Sequence, residues 1–429
     1  DGTADGTVPF QNIATGETLS NAYGFTIANH TLYFVADDGV HGQELWKTDG
    51  TPANTMLVKD LTDGPDHSEI SGLTDVNGEL FFLAAGDDGN SQLWKTDGTD
   101  AGTVRLTNLE YGLDEVTDLT SYHGSLFFLT LTGSHDYLVL WKSDGTAAGT
   151  GPAFGEIPAD VSISFQNLYQ LGDSLFVTIP EIGTIQTDGT MEGSALVDDQ
   201  FGEIDRDYAA LVNGSLFFAG SDYQHGQELF HTTTVAPSVQ EVRRLTDIFD
   251  GPDDSSASEF TNFNGRTYFS ARDVEGAALW STDGTPTGLR LVKRFDGELD
   301  GPDDVLPHNL TIVNGTLFFV AGDKAHGVEL WKSDGTPEHT VLVKDIVPGS
   351  AGSAPYPGSG LGTSLIFTAA GVAAGNVEPY ISDGTAAGTR LVKDIRVGNI
   401  CSIPEHLVAF NGKCYFTADD SFNGNELWM

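Results

Sequence analysis

The sequence predicts an all-β fold: a single β-propeller, most simply of nine four-stranded blades, closed by an N-terminal strand that completes the C-terminal blade. Three observations predict it. A unit of about 48 residues recurs along the whole chain, a period that marks propeller blades. Each unit reads as four short strands with no helical periodicity. The two ends of the chain are complementary halves of one unit.

The repeat is anchored by tryptophan. All six, Trp46, Trp94, Trp141, Trp280, Trp331 and Trp428, follow a leucine, and most precede Asp-Gly-Thr. Ile185, Phe230 and Tyr380 take the same position in the other three units. In the fullest copy, Asn314-Gly315 separates two apolar alternating runs, the strongest short signal for a hairpin. The same turn is expected at Asn77-Gly78, Asn213-Gly214, Asn264-Gly265 and Asn411-Gly412. Leu317-Phe318-Phe319 reads as a buried strand, Glu329-Leu330-Trp331 as a third strand, and Val341 to Lys344 as a fourth. Polar loops such as Asp63-Gly64-Pro65-Asp66 link the units.

The ends decide between a closed and an open array. The chain stops at Glu426-Leu427-Trp428-Met429, partway through a unit, and starts at Asp1-Gly2-Thr3, where that unit would continue. Closure pairs edges that an open array would expose. One domain over 1–429 is expected, with blades at about 20–61, 68–108, 115–155, 162–198, 204–248, 256–295, 305–346, 353–395, and 402–429 plus 1–13.

Composition narrows the partners. Lys and Arg number 20 against 62 Asp and Glu, a net charge of −42. Such a field repels nucleic acid and anionic membranes and favours a medium rich in screening cations. No apolar run is long enough to span a membrane as a helix, so no membrane insertion is expected.

The pattern Glu-Leu-Trp-x-x-Asp-Gly-Thr-x-x-Gly-Thr, carried by Glu44 to Thr55 with Asn54 for the second Gly, resembles the ELWxxDGT repeat of large bacterial extracellular proteins. Glu329 to Thr340 keeps the first half, with His339 for that Gly; Gln92 replaces Glu in the second unit. The fourth unit keeps Asp188-Gly189-Thr190 and Gly193, and the fifth, around Phe230, has lost Asp-Gly. The resemblance covers essentially the whole chain and implies a secreted or surface location, with no defining activity.

Candidate chemistry lies in the turns. Asp-Gly-Thr at Asp1, Asp49, Asp97, Asp144, Asp188, Asp283, Asp334 and Asp383 reads as a turn requirement, Asp bonding amides two residues on. The loops between second and third strands cluster hard oxygen donors: Asp37, Asp38 and Glu44; Asp87 and Asp88; Asp419, Asp420, Asn423 and Glu426. These are the ligand types of Ca²⁺, and Ca²⁺ is the expected cofactor, with plain acidic turns as the alternative. His41, His225 and His326, at one repeat position on separate blades, read as turn caps. Cys401 and Cys414 leave a local disulfide and two free thiols both open.

No nucleophile elbow, phosphate loop or zinc motif is present, and no catalytic residue is assigned. The expectation is therefore a non-catalytic structural and adhesive propeller, secreted or at the cell surface, stabilised by Ca²⁺. Its partners would be surface proteins, glycans or copies of itself in a layer or filament. A glycan-binding lectin is the alternative, and a polysaccharide hydrolase or lyase the third reading. The divergent stretch 151–237 is where a special surface is expected.

Overall fold

In a computed structural model the chain is an all-β propeller of nine four-stranded antiparallel blades; among the described residues the one helical element is a 3₁₀ turn at Pro52–Asn54. The structure describes all residues except 1, 11–12, 15–19, 87, 110–112, 114–115, 117–118, 133–136, 154–156, 159–166, 172, 180–182, 191, 199–208, 213–214, 223–224, 237–238, 252, 286, 297–305, 372–375, 398–400 and 422–423. The expected hairpin turn Asn213-Gly214 lies outside the described residues. The chain divides into two compact units, residues 1–7 with 197–414 and residues 8–196 with 415–429.

In the first unit, blade 7 displays the repeat most fully. Its strands are His308–Val313, Thr316–Asp323, Gly327–Ser333 and Val341–Leu342, paired in chain order. Asn314 (φ 47°) and Gly315 (φ 72°) both take left-handed backbone, as a two-residue hairpin turn requires. Phe319 lies opposite Trp331 in the register. Leu317 through Ala321 are all buried, because both faces of an inner strand are covered by neighbouring blades. Phe263, Leu279, Val292 and Phe295 of blade 6 close on Leu317, Phe319 and Trp331 of blade 7, so each core cluster is shared by consecutive blades. Blades 7 and 8 share another, through Phe318, Leu330, Phe367 and Tyr380.

In the second unit the same logic joins blades 1 and 2. Tyr33, Val35 and Leu45 pack on Leu80, Phe82 and the partly buried Trp94. The tryptophans are packing residues. The indole N–H of Trp94, Trp331 and Trp428 donates to the carbonyl ten residues earlier, on the adjacent strand of its own blade.

The closure expected from the sequence is present. Val8 and Phe10 donate to the carbonyls of Met429 (3.0 Å) and Leu427 (2.8 Å), and the Met429 amide returns a bond to Val8 (3.1 Å). The last blade thus takes three strands, Glu405–Phe410, Lys413–Asp419 and Asn425–Trp428, from the C-terminus and the fourth from the N-terminus.

Candidate binding cleft and the fate of the repeat acids

The acids of the repeat are consumed by the frame. In each Asp-Gly-Thr turn whose Asp is among the described residues, the Asp Oδ1 accepts from the amide and the hydroxyl of the Thr two residues on, as Asp144 does from Thr146 (2.9 and 2.7 Å). These bonds hold the carboxyls of Asp49, Asp97, Asp144, Asp188, Asp283, Asp334 and Asp383 below the usual range, the Thr hydroxyl being the largest cause. The motif's second Gly follows directly. A Cβ on Gly102, Gly149, Gly193, Gly288 or Gly388 would overlap that carboxylate. Where the Gly is missing, the substitute bonds the acid instead: Asn54 Nδ2 reaches Asp49 Oδ2, and His339 Nδ1 reaches Asp334 Oδ2, both at 2.7 Å. The hydroxyl one residue before the Asp closes the turn, Ser333 Oγ lying 2.7 Å from Thr340 Oγ1.

The Glu of the motif is a clamp. Glu329, fully buried, accepts from the amides of Ile346 and Val347 (3.1 and 3.0 Å) and from Ser353 Oγ (2.5 Å), tying the third strand to the link toward the next blade. Glu44 does the same with Leu61 and Ser68, Glu378 with Ile395 and Ser402, and Glu228 with Ile248 and Phe249. Burial pushes the carboxyls of Glu44, Glu228 and Glu329 up to about 7, against the pull of their donors. In the second blade Gln92 substitutes, accepting from Thr107 Oγ1 (2.7 Å) and the Leu109 amide (3.1 Å).

The residues expected to hold Ca²⁺ are placed as follows. Asp37 caps Gly39, and Asp38 caps Val40 and His41 and meets the His41 ring at 2.7 Å. His326 on Asp323 repeats that cap. Asp88 binds Arg105 (2.9 Å), and Asp419 caps Ser421. Glu426 holds Ser20, its Oε2 2.6 Å from Ser20 Oγ. Asp420 lies in the loop after the strand ending at Asp419, while Asp87 and Asn423 lie outside the described residues. Among the described residues no group of three or more His, Cys, Asp or Glu is placed to hold a metal ion. Cys401 and Cys414 are free thiols; burial drives the Cys414 thiol up to about 12.

One concavity breaks the repeat. Between the first strands of blades 8 and 9, Tyr356–Leu361 and Glu405–Phe410, lies a cleft of about 700 Å³ walled by Tyr356, Gly358, Thr368, Val377, Cys401, Ile403 and Leu407. Its origin is legible in the register. Tyr23, Ser71, Ser258, His308 and Tyr356 hold one position, opposite Val35, Leu83, Ser270, Val320 and Thr368. Two residues later come Phe25, Leu73, Phe260 and Leu310, but in blade 8 Gly358. The missing side chain lets Leu407 approach: a Cβ on Gly358 would stand 2.8 Å from both Leu407 Cβ and the Ile366 carbonyl oxygen. The intervening residue is left-handed in blades 1, 2, 6, 7 and 9, as Gly24, Gly72, Glu259, Asn309 and His406, whereas blade 8 has Pro357, whose ring forbids that backbone.

Ile403 adds a second signal. It sits at φ 46°, in the left-handed region that a β-branched side chain avoids, where blades 1, 2, 6 and 8 place Asn21, Glu69, Ser256 and Ala354. It is 55% exposed, and Tyr356 is 65% exposed. The stretch 151–237, where the sequence points to a special surface, lies in good part outside the described residues; the cleft lies in blades 8 and 9, and Gly358 is its signal in the sequence.

No family profile matches the chain, and no curated protein is recognisably similar in sequence. Solved structures do match. A prolyl endopeptidase matches at 12% identity and a TM-score of 0.48, over 94% of this chain and 54% of its own. The propeller domain of the Trilobed protease from Pyrococcus furiosus matches at 10% identity and 0.42, over 93% and 98%. Oligopeptidase B from Trypanosoma brucei matches at 11% and 0.43, over 86% and 54%. The chain spans about half the length of the prolyl endopeptidase and of the oligopeptidase. At these identities and scores the likenesses assign no activity to this chain. The expectation of a structural and adhesive module, with a lectin as alternative, is corrected: these three structures are peptidases or a protease's propeller domain, and the tryptophans that a sugar platform would need are committed to blade packing.

Proposed function

We propose that this chain is a non-catalytic recognition propeller that binds a ligand at one place, the cleft between blades 8 and 9. The observation that carries the reading is the contrast in how polar and apolar groups are used. The repeated Asp and Glu side chains accept bonds from their own turns and links, and the Glu carboxyls are buried out of reach of a substrate. Two exposed apolar side chains, Tyr356 and Ile403, stand at the cleft beside Val377 and Leu407. A pocket of this size, mostly apolar with few polar groups, is the usual form of a ligand site.

The test is turnover. The purified chain, incubated with fluorogenic endopeptidase, aminopeptidase and ester substrates, is expected to release no product above a boiled control. Saturable turnover abolished by a single Asp, Glu, Ser or Cys substitution would overturn the reading. Ca²⁺ at the acidic loops and an extracellular setting belong to the same proposal, supported by the net charge of −42. A melting midpoint unchanged between excess Ca²⁺ and chelator would remove the ion from it.

A further inference from the structure

We infer that the cleft between blades 8 and 9 takes a peptide segment in extended form, seating one large apolar side chain beside a basic residue. This rests on the recognition reading above and names the ligand class for its site.

Three features choose a peptide. Both long walls are edge strands: Tyr356–Leu361 and Glu405–Phe410 each stand first in their sheets, with a strand neighbour on one side only in sheet order. An edge strand offers backbone donors and acceptors at strand spacing, which an extended chain matches and most small molecules do not. Next, the floor is apolar. Gly358 stands where other blades have Phe25, Leu73, Phe260 and Leu310; Leu407 closes over it, and the cleft beside it, lined by Val377, Ile403 and Leu407, suits an apolar side chain arriving from outside. Flanking it, the exposed Tyr356 and Ile403 offer apolar contact at the rim.

Charge chooses the neighbour. The chain carries −42, and Glu405 lies exposed on the cleft's edge. The nearby Arg396 guanidinium, which donates to the Cys401 carbonyl (3.5 Å), sets one positive charge against that field. A basic residue next to the apolar one is drawn by this field, an acidic one repelled.

The experiment uses three dye-labelled probes on the whole chain: acetyl-Arg-Phe-Arg-amide, acetyl-Arg-Gly-Arg-amide and acetyl-Glu-Phe-Glu-amide. Fluorescence anisotropy is expected to rank the first about tenfold or more tighter than either other probe. Thr368→Leu, which places in blade 8 the residue blade 2 has as Leu83, fills the cleft with a side chain the fold already accepts. It is expected to weaken the first probe about tenfold while the melting midpoint stays within a degree or two. Bound peptide is also expected to slow alkylation of Cys401, with the buried Cys414 as an unreactive internal control. Equal affinity for the Phe and Gly probes overturns the inference, as does unchanged binding in a folded Thr368→Leu. Cleavage of the bound probe would sink the non-catalytic reading instead, and leave the cleft assignment standing if Thr368→Leu abolished both.

Discussion

The first strands of blades 7 and 8 start from the same repeat and end differently. In blade 7, Leu310 packs against the shared core of Phe263, Phe295 and Trp331. In blade 8 the matching residue is Gly358, its neighbour is Pro357, and a cleft opens beside an exposed tyrosine. One lost side chain in a repeat does what an inserted loop does in other folds. Repetition builds the frame, and the cleft borders the place where Gly358 departs from it.

The comparison can be broken most forcefully from the frame side. Trp331→Ala empties a buried position shared by two blades and is expected to cost about 3–5 kcal/mol in denaturant unfolding. Tyr356→Ala, at the cleft rim, is expected to stay within about 0.5 kcal/mol. Similar costs for both would erase the distinction between frame and site.

Next in size are the glutamate clamps. Glu329→Ala strands two buried amides and a serine hydroxyl, for an expected loss of about 2–4 kcal/mol. The clamps also set a pH dependence. Their folded carboxyls titrate near 7, above the unfolded value, so the native state binds more protons between about pH 4.5 and 7. Stability they contribute is fully present below the unfolded value and is lost as pH rises through 7. The turn aspartates act oppositely: their lowered carboxyls give stability that is lost as pH falls below about 3.8. Calorimetric melting from pH 3 to 8 should therefore peak near pH 4.5–5, with a shallower alkaline limb in Glu44→Gln/Glu329→Gln. A midpoint rising steadily to pH 8 would refute this assignment of charge.

A smaller effect probes the turns. Gly149→Ala drives a Cβ into the Asp144 carboxylate and is expected to cost about 1–3 kcal/mol. Gly149→Asn should cost less, because Asn54 already serves Asp49 by bonding it. A further small effect, and the sharpest for the cleft, is Ile403→Asn. It installs blade 1's residue at a left-handed position and is expected to stabilise by about 1 kcal/mol.

Much of the frame was legible in the residues because its signals are local. Asn-Gly turns, a Leu before each Trp and Asp-Gly-Thr each impose backbone geometry on their own neighbours. The histidines His41 and His326 cap their loops as turn residues, each bonded to an acid three residues earlier. The site was less legible. The acidic loops drew attention because carboxylates cluster in sequence, yet Asp37 and Asp38 turn their oxygens onto amides two and three residues on. The cleft's residues, Gly358, Thr368, Val377 and Ile403, are spread over some 45 positions and look ordinary one by one.

By itself the sequence determined the four-strand unit, its nine-fold recurrence and the pairing of the two ends, since each follows from hairpin chemistry and from edges that must be satisfied. Only the tertiary structure decided which apolar groups stay uncovered and which acids are already bonded. Those outcomes depend on contacts between strands some 50 residues apart, where one blade's missing side chain is answered by the next blade's Leu407.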